Sequence, residues 1–248
     1  MPTAPWAEPF SADGNDVGIV VLHGFTGSPT SVTPWGQALA GQGWTVRIPL
    51  LPGHGTTWQH MNRTTWQDWY DAADRSIEEV RQRCSTVFVM GLSMGGALAL
   101  RAAEVRAADV RGLVLVNPAV HSERPDRFLL PALSKVVPAF PGISNDIAKP
   151  GQDEGAYDRL PLRAAHSMTK LWSAVKADIA AVSAPLLLFR STQDHVVEPS
   201  NAAWILRNVS SRERAEVLLE NSYHVATMDH DAPVIEQGSI DFVRRLAS

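Results

Sequence analysis

Residues 86–105 read TVFVMGLSMGGALALRAAEV, and no other stretch constrains the fold as tightly. Residues 86–90 are a short β-branched apolar run, the pattern of a strand, while residues 94–105 are rich in alanine and leucine, the pattern of a helix. Only Gly91-Leu92-Ser93 stands between them, so the chain passes from strand to helix in one sharp step. The same alternation recurs along the sequence. Apolar runs at 18–22 (GIVVL), 45–48 (TVRI), 112–116 (GLVLV), 186–189 (LLLF) and 215–219 (AEVLL) predict further strands. Several are apolar at both odd and even positions, as expected of parallel strands covered on both faces. Helical spacing marks 31–40, 65–83, 200–208 and 232–246; in the second of these, Trp66, Trp69, Tyr70, Ala73, Ile77 and Val80 share one side. This order predicts an α/β fold with helices on both faces of a mostly parallel sheet.

One interval breaks the rhythm. Between Pro118, after the fourth run, and Pro185, before the fifth, lie 66 residues, far more than one helix and its loops require. They hold Phe128, Leu129, Leu130, Leu133, Val136, Val137, Phe140 and Ile143, interrupted by three prolines. The expected organisation is therefore a core from 1–118 and 185–248, with 119–184 inserted as a small cap. An irregular wall that completes the core is the plainer alternative.

Composition narrows the function. The formal charge is −4 with lysine and arginine scattered, which supplies no electrostatic footprint for nucleic acid. One cysteine, Cys84, excludes an intrachain disulfide and a cysteine-based zinc site. No apolar run reaches the roughly 18–20 residues that span a bilayer. The first sixteen residues lack a basic segment followed by an apolar core, so a cytoplasmic location without a signal peptide is expected.

Gly91-Leu92-Ser93-Met94-Gly95 is a G-x-S-x-G pattern in the strand–turn–helix setting that makes it meaningful. In that setting the serine hydroxyl projects above the sheet, and the Met94 amide points outward at a helix N-terminus. A serine needs a base, commonly a histidine oriented by a carboxylate, and in this setting they follow in the order Ser, acid, His. His224, just past the last strand, is the candidate base, with His230 as the alternative. Asp194, in the loop after LLLF, is the candidate acid; Glu198 stands before Pro199 and reads as a helix-start charge. A second oxyanion donor is expected from His23-Gly24-Phe25-Thr26-Gly27, through the Phe25 amide, with the phenyl ring shielding the pocket. Pro52-Gly53-His54-Gly55 reads as structural.

Taken in order, these five segments, with Asn221-Ser222-Tyr223-His224-Val225 as the last, resemble the α/β-hydrolase superfamily over nearly the whole chain. Within it the chain is similar to small bacterial carboxylesterases and monoacylglycerol lipases. The resemblance implies a catalytic triad of Ser93, Asp194 and His224 and an oxyanion hole from the amides of Phe25 and Met94. It implies an acyl-ester substrate and no metal or organic cofactor. By the same analogy Ile143 lines an acyl channel and Glu154 binds a glycerol hydroxyl. Where some of those lipases carry an asparagine, this chain has Leu162-Arg163-Ala164-Ala165. An apolar edge at Arg127-Phe128-Leu129-Leu130 is expected to touch lipid surfaces transiently, unless these residues pack on one another. A thioesterase, an acyltransferase or a peptidase would use the same triad, and a non-catalytic binding protein is the reading from another class.

Overall fold

The computed structural model describes residues 3–247, apart from the side chains of Asp126 and Arg127. Its strands are β1 (Phe10–Ala12), β2 (Val17–Leu22), β3 (Thr45–Ile48), β4 (Thr86–Leu92), β5 (Val110–Val116), β6 (Ala139–Pro141), β7 (Arg159–Pro161), β8 (Leu186–Ser191) and β9 (Arg214–Leu219). Its helices are α1 (Thr33–Ala40), α2 (Trp58–Met61), α3 (Trp66–Arg81), α4 (Met94–Val105), α5 (Leu130–Val136), α6 (Leu162–Asp178), α7 (Ser200–Asn208) and α8 (Ala232–Ala247). Seven strands form one sheet in the order β1-β3-β2-β4-β5-β8-β9. All neighbours are parallel except β1, which runs antiparallel to β3 at the edge. The expected α/β architecture is the observed one.

Two-residue periodicity divides the core. Val20 and Leu22 of β2, Val87 and Val89 of β4, and Leu113 and Leu115 of β5 face one layer with residues of α3, α4 and α6. Ile19 and Val21, Phe88 and Met90, and Val114 and Val116 face the other layer, with residues of α1 and α8. Both parities are buried because helices cover both faces, which is why these strands read as continuous apolar runs. Helix α3 starts at a capping box, where the Thr65 N–H donates to Asp68 Oδ2 at 2.7 Å, and it buries Trp69, Ala73, Ile77 and Val80.

The structure adds elements that the sequence reading does not single out. Strand β1 is three residues long. In the 119–184 stretch, β6 and β7 form a separate antiparallel pair, and α6 carries Leu171 and Val175 into the layer shared with α3 and α4. Phe128, Leu129 and Val136 stay exposed, whereas the Arg127 side chain lies outside the described residues. No described helix is long and apolar enough to cross a membrane.

Glu104 sits against Arg101 near the end of α6. Its side chain is 1% exposed, Arg101 Nη1 donates to it at 2.8 Å, and Oε1 has no protein partner among the described residues. Burial, only partly opposed by Arg101, pushes its pKa from 4.5 up to about 7. Between those values the folded state holds a proton that the unfolded chain has released, so stability falls as pH rises through that window. Glu104→Gln removes the buried charge and leaves Arg101 its 2.6 Å bond to Asp178. Thermal melts at pH 8 are expected to show a Tm about 2–4 °C above wild type, the shift that ~1 kcal/mol gives in a chain of this size, and a smaller difference at pH 5.

Candidate active site

Five loops meet at the carboxyl ends of β2, β4, β5, β8 and β9, where open parallel sheets hold their sites. Ser93 follows β4 with φ +56° and ψ −116°, a strained conformation for a residue with a side chain. Four backbone bonds hold it there. Its N–H donates to Val116 O at 2.9 Å, and its carbonyl accepts from Gly96, Ala119 and Ala97 at 3.0, 3.2 and 3.4 Å. The flanking glycines are required by contact distance. A Cβ on Gly95 would stand 2.1 Å from Leu22 O, and one on Gly91 would stand 2.2 Å from Gly95 O. Ser93 itself is 8% exposed.

The loop after β2 lies against this turn. A Cβ on Gly24 would stand 3.4 Å from Ser93 Cβ and 3.9 Å from Ser93 Oγ, so this loop runs within van der Waals contact of the hydroxyl. Among the described residues, neither the Phe25 nor the Met94 amide is taken up by a protein acceptor. His23 shapes this loop from beneath. The Leu51 N–H donates to its Nε2 at 3.2 Å, which puts the proton on Nδ1, 3.0 Å from Gly24 O. Burial lowers its pKa to about 4, so it stays neutral at neutral pH. Its ring meets His54 edge-on at 4.9 Å, and Phe25 and His54 each meet Trp69 at 5.7 Å. The Pro52–Gly55 turn thus packs under the loop, and the half-buried Phe25 ring is part of that cluster.

Asp194 and His224 are brought together. His224 Nδ1–H donates to Asp194 Oδ2 at 2.8 Å, with the side chains 8% and 5% exposed. Asp194 Oδ1 accepts the Val196 and Val197 amides, both at 2.8 Å. Burial alone would raise the Asp194 pKa, but His224 and those two amides outweigh it and hold it low. Burial alone would lower the His224 pKa, but Asp194, then Glu154 and Asp146, leave it raised. Glu198, in contrast, accepts the Glu123 N–H at 3.0 Å and so ties down the start of the 119–184 stretch. His230 lies apart from this pair; its amide donates to Asp229.

Glu154 is buried, 9% exposed. Its Oε1 accepts the Asn145 N–H at 3.0 Å, and Asn145 Oδ1 accepts the Glu154 N–H at 2.9 Å. Its Oε2 lies over Gly27 in the loop after β2, 3.4 Å from where a Cβ would stand. Burial raises its pKa, against the Asn145 bond and the His224 charge. Ile143 is 55% exposed on the same segment.

Three groups with no motif around them complete the arrangement. Asn117, at φ +43° after β5, donates through Nδ2 to His224 O at 2.7 Å and to Ser191 Oγ at 2.9 Å. Asp229 accepts the amides of Ala148, Lys149, Tyr223 and His230 at 2.7–2.9 Å. Asp146 reaches the His224 and His195 amides. The closing of β5 by Asn117-Pro118 is visible in the sequence, but its bond to residue 224 is not. Among the described residues no three His, Cys, Asp or Glu side chains gather as a metal ion would need. A depression of about 300 Å³ opens between Ser85, Arg111 and Ser183, at the opposite end of the sheet, with Asp109 and Arg111 its only ionisable groups.

Comparison with known proteins agrees with this fold. The family model Hydrolase_4, described as serine aminopeptidase, S33, matches residues 15–231. A thermostable monoacylglycerol lipase of Bacillus sp. (strain H-257) is 39% identical over 253 residues, covering 99% of this chain and 98% of its own. A solved structure from work on LipS and LipT, two metagenome-derived lipolytic enzymes, superposes with a TM-score of 0.95 at 36% identity, covering 98% of this chain and 100% of the other. A soluble variant of monoglyceride lipase from Saccharomyces cerevisiae, solved with a substrate analogue, has a TM-score of 0.80 at 13% identity, covering 96% and 90%, and shares the fold.

The turn at Ser93 has no room for a methyl group on Gly95. Gly95→Ala is expected to displace the start of α4 from Leu22. The measurement is a thermal melt, with a Tm loss of several degrees or failure to accumulate as folded protein.

Proposed function

The chain belongs to the Hydrolase_4 family of the α/β-hydrolase superfamily, and from that premise we propose that it is a serine carboxylic-ester hydrolase that cleaves monoacylglycerols through an acyl-enzyme on Ser93. Ser93 Oγ attacks the ester carbonyl as His224 Nε2 takes its proton. Asp194 holds the Nδ1–H side of the ring and stabilises the imidazolium that forms. The raised His224 pKa makes it a stronger base for that step. The oxyanion is received by the amides of Phe25 and Met94, at ~3–4 kcal/mol for each such donor. His224 returns the proton to the leaving glycerol oxygen. Water, deprotonated by His224, then attacks the acyl-enzyme and releases the fatty acid and Ser93.

The observation that carries the choice of substrate is the buried carboxylate of Glu154. Burying a carboxylate is costly, and an apolar acyl group offers it no donor. A glycerol headgroup brings hydroxyls that can donate to Oε2, while Oε1 is already committed to Asn145. In this reading Ile143 contacts the acyl chain, and residues 119–184 act as a cap over the site. The exposed Phe128, Leu129 and Val136 on that cap suit transient contact with a lipid surface, the source of such a substrate. A small acyl ester is the only partner the mechanism needs. The single, buried Cys84 accords with a cytoplasmic protein that has no need of disulfides.

A fluorophosphonate probe is expected to label wild type on Ser93, and Ser93→Ala to lose both labelling and ester hydrolysis. Hydrolysis retained in full by Ser93→Ala overturns the acyl-enzyme. Substrate choice is read by kinetics on 1-monoacylglycerols, diacylglycerols and p-nitrophenyl butyrate. Glu154→Gln is expected to raise KM for 1-monoacylglycerols by roughly tenfold or more, the effect of losing one hydrogen bond to a charged group, and to leave KM for p-nitrophenyl butyrate unchanged. Equal cleavage of diacylglycerol by wild type would sink the glycerol-headgroup assignment.

A further inference from the structure

We infer that Asp146 is a positioning residue that holds the loops of Asp194 and His224 in register from outside both of them. Its Oδ1 accepts His195 Nδ1–H at 2.8 Å, and its Oδ2 accepts the His224 N–H at 3.1 Å and the His195 N–H at 3.3 Å. Its carbonyl accepts the Val225 N–H at 3.1 Å. One residue therefore takes donors from residues 195, 224 and 225. Its side chain is 11% exposed, although the His195 ring on its far side is 57% exposed.

The need for such a residue follows from where His224 sits. It lies between β9 and the 3₁₀ turn at Ala226–Met228, outside any helix or strand. Both of its peptide groups are satisfied by side chains from elsewhere: the N–H by Asp146 and the C=O by Asn117 Nδ2 at 2.7 Å. With the backbone held at both groups, the Nδ1 bond to Asp194 is left to set only the imidazole torsions. Asp146 is itself braced. Asn145, at φ +55°, exchanges two hydrogen bonds with Glu154, and Asp229 takes the amides of Ala148 and Lys149 beyond it. The segment that carries the buried Glu154 thus also sets the position of the base.

This inference rests on the roles given above to Ser93, Asp194 and His224, and the test separates the two. Wild type, Asp146→Asn and Asp146→Ala are compared for kcat and KM on p-nitrophenyl butyrate, for Tm, and for the far-downfield imidazole Nδ1–H proton resonance of His224. Asp194→Asn identifies that resonance by removing it. Asp146→Ala is expected to lower kcat by about 10–100-fold, the scale of a misplacement near 1 Å, with KM within about twofold and the resonance broadened. Asp146→Asn keeps a carbonyl oxygen as acceptor and is expected to fall between the two and to recover part of the resonance. Unchanged kcat and an unchanged resonance in both variants overturn the inference, as does a rise in KM at constant kcat. If Asp146→Ala does not fold, Asp146→Asn decides on the same readouts. A wild type that neither hydrolyses esters nor labels at Ser93 overturns the proposed function instead, and the resonance still decides the role of Asp146.

Discussion

The hydrogen bond from Ser93 N–H to Val116 O fixes the place where the central strand ends and the helix begins. Among the described residues it is the one bond made by the Ser93 amide, and it helps hold residue 93 at φ +56°. Isolated strain of this kind relaxes, and it persists where the surroundings over-determine it. Here β5 holds the amide, while α4 and the Ala119 amide hold the carbonyl. The close approach of Gly95 to Leu22 O then brings the end of β2 against the same turn. The sheet order follows this need: β4 lies between β2 and β5, so both neighbours of the serine are strand ends.

Buried charge is used with economy around that turn. Asp194 and Asp229 each accept several backbone amides, and at Asp194 these donors and His224 hold the pKa low despite burial. His23 takes the opposite course and stays neutral, because burial outweighs its one bond to a carbonyl. Glu154 has an amide on one oxygen, and its other oxygen lies over Gly27. The same segment therefore contains a carboxylate fully committed to the fold, Asp146, and one only half committed, Glu154.

The sequence makes some of this legible and conceals the rest for physical reasons. β2, β4, β5 and β8 stand out because both their faces are buried, and the amphipathic stripe of α3 stands out because only one of its faces is. Ser93 is legible because its turn demands glycines at fixed offsets. Asp194 and His224 are legible because topology requires them just past two strands, and the structure pairs them. β1 is hidden because Phe-Ser-Ala is short and paired on one side only. α6 is hidden because half of its buried positions, Ala164, Ala165 and Ser167, are small, which leaves Leu162, Leu171 and Val175 as a thin apolar stripe. Asp146 is hidden because its donors lie 49 and 78 residues away, and a loop aspartate reads as a turn former.

Asp229 joins segments of different origin, accepting two amides from residues 148–149 and one from Tyr223. The 119–184 stretch is therefore stitched to the C-terminal loop and is not a free-standing module. Relatives that exchange this stretch, in evolution or by grafting, must exchange a matching seam at 221–231 with it. A transplant cut only at residues 119 and 184 would carry over the new pocket wall but strip two amides from Asp229, and the recipient's histidine loop would lose its footing.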